Sequence, residues 1–168
     1  LGSIKATLNA MLNSAEESKE LLSTDTLRVI NDLHDELDQL DYTMSGGLSS
    51  APEEALDPLV TALVALSGLM QESMVRGVGW RFMELGKRVE RAQQIITTLR
   101  ALITPVTKEA DQSILLTTLL TSMEVLITYR RRHRNRTGIE LGLELVMLDP
   151  TNPRSLLFQL EALQQHML

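Results

Sequence analysis

Trp80-Arg81-Phe82-Met83-Glu84-Leu85-Gly86-Lys87-Arg88-Val89-Glu90-Arg91-Ala92, continuing to Ile103, is the stretch on which the fold turns. At about 100° per residue, Phe82, Leu85, Val89, Ile96, Leu99 and Ile103 align as one apolar seam, the mark of a helix set against a core. Gly77 and Gly79 break the chain before it and Pro105 stops it, so the spacing predicts a helix over residues 80–103. Glu90 falls away from that seam, on a small and nearly neutral side with Met83, Gly86, Thr97 and Ala101. A second helix could approach closely there and enclose the Glu90 carboxylate, which would then need a cationic or donor partner. Arg81, Glu84 and Arg88 share another flank, where Glu84 can bridge both arginines as solvated i,i+3 and i,i+4 pairs.

The same periodicity runs outward in both directions. A first helix is expected over about residues 3–22 and a second from Ser23 or Thr24, either of which can cap it, with Asp25 in its first turn. Its stripe is Leu27, Ile30, Leu37 and Leu40. Residues 44–51, with Gly46-Gly47 and Ser49-Ser50, read as a loop. A third helix follows, starting at Pro52 or nearer Asp57, with Pro58 at its first position. Beyond residue 103 a fifth helix is expected over residues 109–133, apolar on most sides and therefore central. A sixth covers residues 138–147. A seventh opens with Asn152 as cap and Pro153 behind it, ending near Met167. Strand signals are scarce. The expected fold is all-α, an antiparallel bundle of six to seven helices over residues 1–168 in one domain.

Composition narrows the chemistry. The 168 residues are 43 % hydrophobic and 23 % charged, globular values that argue against disorder. There is no cysteine, which excludes disulfide scaffolds, thiolate metal sites and thiol nucleophiles and fits a cytoplasmic protein. No charged segment followed by an apolar block opens the chain, and the most apolar run, residues 114–129, is too short and too polar to span a bilayer. No membrane partner is expected. Residues 1–70 hold twelve acids against Lys5, Lys19 and Arg28, a net charge of −9, while residues 71–168 carry +3.

A second constellation is Tyr129-Arg130-Arg131-Arg132-His133-Arg134-Asn135-Arg136, with five arginines in seven positions. Guanidinium groups bind phosphate bidentately, so Arg130 to Arg136 would suit a phosphate or nucleic acid. They equally suit the negative end of a helix. The acidic whole chain and an aromatic content of 3 % argue against a nucleic-acid protein. A di-iron bundle needs Glu-x-x-His pairs, and Asn31, Arg130 and Leu163 stand three residues before His34, His133 and His166. No metal or cofactor is expected. His34, with Asp38 one turn on, reads as a partly buried, satisfied histidine.

Three segments together resemble the bacterial alpha-E family, a helical domain with a Glu-Arg motif. They are Gly79 to Ala92, containing Glu90-Arg91; Thr128-Tyr129-Arg130-Arg131-Arg132; and Leu148-Asp149-Pro150-Thr151-Asn152-Pro153-Arg154-Ser155 followed by Phe158-Gln159-Leu160. The resemblance covers about residues 20–168. Leu27 departs from it where the family often has tryptophan. Family chains are longer, so this chain resembles the C-terminal part of a larger protein.

The resemblance implies a setting beside circularly permuted ATP-grasp ligases and transglutaminase-like proteins that build or modify peptides through amide bonds. This chain would be the non-catalytic accessory, with an ATP-grasp-type ligase as partner. Glu90 would pair with Arg130 or Arg131. Arg88, Arg91 and Arg154 would then line a groove for a carboxylate, a phosphate or an acidic peptide. Trp80, Arg81, Tyr129 and Arg132 complete the motif residues. Rival readings are a catalytic Glu90/Arg91 site for acyl transfer or hydrolysis, and a phosphate or nucleic-acid binder through Arg130 to Arg136. Apolar surface left by a missing half would favour a homodimer.

Overall fold

A computed structural model describes residues 2–45, 52–103, 109–134 and 138–167. The all-α class holds, with eight α-helices among the described residues in place of six or seven. They are α1 (Gly2–Glu17), α2 (Thr24–Ser45), α3 (Pro52–Ser73), α4 (Val78–Ile103), α5 (Glu109–Ser122), α6 (Leu126–Arg132), α7 (Ile139–Met147) and α8 (Leu156–Met167). A 3-10 turn, Lys19–Leu21, follows α1. The glycine–serine loop expected before α3, the Pro105 stop and Arg136 of the arginine cluster lie outside the described residues. No helix among the described residues is long and apolar enough to cross a membrane.

The helices gather in two compact units, residues 1–77 and 78–168. The sign change in charge falls at this boundary: the first unit carries −9 and the second +3. In the first unit, α2 and α3 pack along each other as a hairpin, and α1 lies on α2. Leu33, Leu37 and Leu40 of α2 bury against Leu59 of α3 and against Leu8 and Leu12 of α1. Ser23 caps α2 as expected, accepting the Thr26 N–H at 3.1 Å. The start of α3 settles at Pro52, leaving Pro58 inside the helix, where it removes one i→i−4 bond.

In the second unit α4 packs along α8, with α5 and α7 against them. The core joins Ile95 and Leu99 of α4, Leu116, Leu119 and Leu120 of α5, Tyr129 of α6, and Leu145 and Val146 of α7. The helix expected over residues 109–133 is two helices. Glu124 adopts φ 52°. The Glu124 N–H bonds Thr121 O and the Val125 N–H bonds Leu120 O, each at 2.9 Å, the paired bonds of a Schellman cap. Val125 and Leu120 share the core, giving that cap its usual apolar contact. Nor is α5 central. It buries Leu116, Leu119 and Leu120 and exposes Ser113, Ile114, Thr117, Thr118 and Thr121.

The seam expected on α4 is also displaced. Leu99 is buried, but Phe82, Val89 and Ile96 are 70 %, 43 % and 42 % exposed. The helix instead buries Glu84, Ala92, Ile95 and Leu99. The apolar residues of α4 lie on more than one side, so periodicity alone does not select the buried one. The partners of Glu84, Lys87 and Arg88, do.

One close approach in this unit depends on glycine. A Cβ on Gly142 of α7 would lie 2.2 Å from Leu116 Cδ1, 3.6 Å from its Cγ and 3.7 Å from Leu120 Cδ2. Gly142→Ala gains up to about 1 kcal/mol of helix propensity. Overpacking against two buried leucines costs about 1–3 kcal/mol. Chemical denaturation should therefore show net destabilisation, and an unchanged midpoint would show that Leu116 turns aside freely.

Candidate functional site

The residues of this site descend from a buried carboxylate. Glu84 is 1 % exposed. Its two oxygens accept from Lys87 Nζ at 3.0 Å and Arg88 Nη2 at 2.8 Å, the i+3 and i+4 positions of α4. Arg88 reaches on to Gln159 Oε1 of α8 at 3.4 Å, and its guanidinium lies 5.6 Å from the Phe158 ring centroid. Gln159 is fully buried and donates its amide to the Pro153 carbonyl. Arg88 Nε is buried without an acceptor among the described residues, a residual cost of this clasp. Burial raises the Glu84 pKa, but the hydrogen bonds and charges of Lys87 and Arg88 outweigh it and hold the carboxyl below its ordinary value. Trp80, one turn earlier, meets His166 of α8 edge-on at 5.0 Å.

Residues 149–155 form a knotted turn ahead of α8. Asn152 does not cap the last helix, as the sequence suggested. Its Nδ2 donates to Leu145 O at 2.9 Å and its Oδ1 accepts the Arg154 N–H at 3.0 Å. Ser155 is the cap, accepting the Phe158 N–H at 3.1 Å. Asp149 accepts from the Thr151 N–H at 2.8 Å and its hydroxyl at 2.7 Å, and pairs with Arg132 of α6. Burial raises the Asp149 pKa, while Thr151 and Arg132 bring it down to about 2. Tyr129 is buried, and its hydroxyl both accepts from Gly138 N at 2.9 Å and donates to Gly138 O at 3.1 Å, fastening α6 to the start of α7.

This scaffold frames a cleft of about 260 Å³. Arg91, Gln94, Ile95 and Thr98 of α4 line one side; Ser122 and Met123 close the end of α5; Arg154 comes from the knotted turn. Arg154 also pairs with Glu124. Two of the three expected groove arginines, Arg91 and Arg154, line this cleft, and Arg88 is bonded to Glu84 instead. Two guanidinium groups, an amide and two hydroxyls over an apolar floor can hold an oxyanion through charge-assisted hydrogen bonds.

The expected pairing of Glu90 with Arg130 or Arg131 is not formed. Glu90 is exposed and makes no ion pair among the described residues. The carboxylate taken inside is Glu84, six positions earlier and about 120° away around the helix, because Lys87 and Arg88 satisfy it there and Gln159 in turn accepts from Arg88. Arg81, Arg130, Arg131 and Arg134 are exposed. His34 is exposed too, 60 % by its side chain, and lies 3.6 Å from Asp38. Among the described residues no group of three or more histidines and acids could hold a metal ion. Sequence reasoning missed Gln159, Glu124 and Ser122. Glu84 carries a readable signal, basic residues at both i+3 and i+4, but the same spacing suits a solvated pair.

Two measurements check this arrangement. Glu84→Gln strands Arg88 in a half-buried site and should cost about 3 kcal/mol in denaturant unfolding. Glu90→Gln, on the surface, should stay within about 0.5 kcal/mol. Equal losses would mean that the clasp is not the support described. The second concerns acid. Asp149 and Glu84 have lower pKa values folded than unfolded, so their stabilisation is complete above the unfolded carboxyl value. It is lost as pH falls through the folded value, for Asp149 from 3.8 to about 2. Thermal midpoints should fall over that window, and Asp149→Asn should flatten the fall by removing one of the two groups.

Comparison with known proteins places these residues. The family described as a predicted alpha-helical domain with a conserved ER motif, Alpha-E, matches residues 1–168. The first helix thus belongs to the match, which was expected to begin near residue 20. Glu90-Arg91 is the one Glu-Arg dipeptide in the sequence. Uncharacterized protein Rv2567 of Mycobacterium tuberculosis (strain ATCC 25618 / H37Rv) is 31 % identical over 169 residues, covering 97 % of this chain and 19 % of the relative. Uncharacterized protein Mb2597 of Mycobacterium bovis (strain ATCC BAA-935 / AF2122/97) matches with the same identity and coverage. The chain spans about a fifth of the length of these relatives. No solved structure matches. With the family description matching from the first residue to the last, the chain belongs to the Alpha-E family.

Proposed function

We propose that this chain is a non-catalytic helical binding module that supports an amide ligase of the ATP-grasp type, and that the Arg91–Arg154 cleft holds an anionic group for it. The observation that carries this reading is that Arg91, from the Glu-Arg motif of α4, and Arg154, from the turn before α8, line one cleft. Both face one cleft beside Gln94, Thr98 and Ser122; no histidine lines it, and the neighbouring Glu124 carboxylate is engaged by Arg154. A hydroxyl nucleophile needs an adjacent base, so the lining favours binding over acyl transfer. The ligase partnership rests on the family setting. The wider arginine cluster serves this reading less, because Arg132 is engaged by Asp149 and Thr151.

The test uses the intact protein as bait in its native host, with captured proteins identified by mass spectrometry. An ATP-grasp ligase should be recovered and should remain through moderate salt. Adding the intact protein to that purified ligase should raise amide-bond formation. Arg91→Ala with Arg154→Ala should remove the enhancement while the thermal midpoint moves little. Recovery of nucleic acid alone, washing off with salt as phosphate contacts do, would overturn the reading.

A further inference from the structure

The Arg154 guanidinium already holds a carboxylate, and the residue that supplies it sits where a side chain is disfavoured. Glu124, at φ 52°, occupies the Schellman position at which glycine escapes the Cβ penalty. From there its carboxylate reaches Arg154. Its chain neighbour Met123, with Ser122, lines the cleft that Arg154 and Arg91 share. A carboxylate is therefore bound by one of the two cleft cations at the cost of local backbone strain. The pair is open to solvent: Glu124 is 67 % and Arg154 42 % exposed, so an arriving anion can compete for the guanidinium.

We propose that the Arg91–Arg154 cleft binds the carboxylate of an acidic amino-acid residue or a short acidic peptide end, and that Glu124 is the carboxylate this ligand displaces. The inference rests on the reading of the cleft as a binding site. At about 260 Å³ the cleft lies just below the roughly 300 Å³ at which sites for drug-sized ligands begin, so it suits one or two residues. Ile95 and Met123, both buried, offer a floor for the methylene stem of an acidic side chain. Gln94, Thr98 and Ser122 can bond the flanking amide groups. Inorganic phosphate shares the oxyanion but lacks the stem.

The experiment is calorimetric titration of the whole chain with a triglutamate peptide and, separately, with inorganic phosphate. Wild type should bind the peptide. Glu124→Gly, which fits the left-handed cap, should bind it about two- to fivefold more tightly, the factor expected when a competing exposed ion pair is removed. Glu124→Gln should show the same gain with the cap backbone unrelieved. Glu90→Gln removes an equal charge from α4 without touching Arg154 and should leave the affinity unchanged. Arg154→Ala should abolish the gain. Equal peptide binding by wild type and both Glu124 variants would overturn displacement while leaving the cleft as a binding site. Binding of phosphate without the peptide would overturn the carboxylate assignment. Binding of neither would overturn the site itself.

Discussion

The ion cluster of Glu84 with Lys87 and Arg88, sealed by Gln159, is the constraint on which the second unit depends. A carboxylate taken out of water is tolerated only when its lone pairs are met, and here two cations meet them from the same helix. That self-sufficiency lets α8 close over the cluster with an uncharged amide. It also sets the rotation of α4. Seven, eleven and fourteen residues on from Glu84 stand Arg91, Ile95 and Thr98, two to four turns along the same face. Whatever turns Glu84 inward therefore turns Arg91 toward the end of α5. The same rotation leaves Phe82, Val89 and Ile96 in solvent, although their spacing is that of a buried seam.

The helical class and most helix limits were legible because caps, breakers and period act within one segment. Ser23, Pro52 and the helix over residues 139–147 are of this kind. Arg91 and Arg154, expected in one groove, both line the cleft. What could not be read depends on partners distant in sequence. Choosing Glu84 over Glu90 as the buried carboxylate requires Gln159, which no periodicity of α4 announces. The break at Glu124 was hidden because glutamate stands where glycine would have signalled a cap. Asn152 was a sound cap by residue type, yet the carbonyl of Leu145 and the N–H of Arg154 claim its side chain first.

The segment from Asp149 to Ser155 does for the turn what the clasp does for the helices. Its short polar side chains bond to backbone within a few residues, so Arg154 leaves a fixed base rather than a loop. Arg132 of α6 anchors one end of that segment and Gln159 of α8 the other. Two motifs that look separate in the sequence thereby become one scaffold. The arginine-rich end of α6 contributes mostly mechanical support, through Tyr129 and Arg132, while its other described arginines stay at the surface.

Trp80 is the sole indole of the chain, and it lies at the α4–α8 seam with its ring edge-on to His166. All tryptophan emission of the chain thus originates beside the clasp. Its spectrum reports on the last turn of α8 and the first of α4 without any label. Loss of the C-terminal helix is therefore an optically visible event, changing the tryptophan emission together with the circular dichroism.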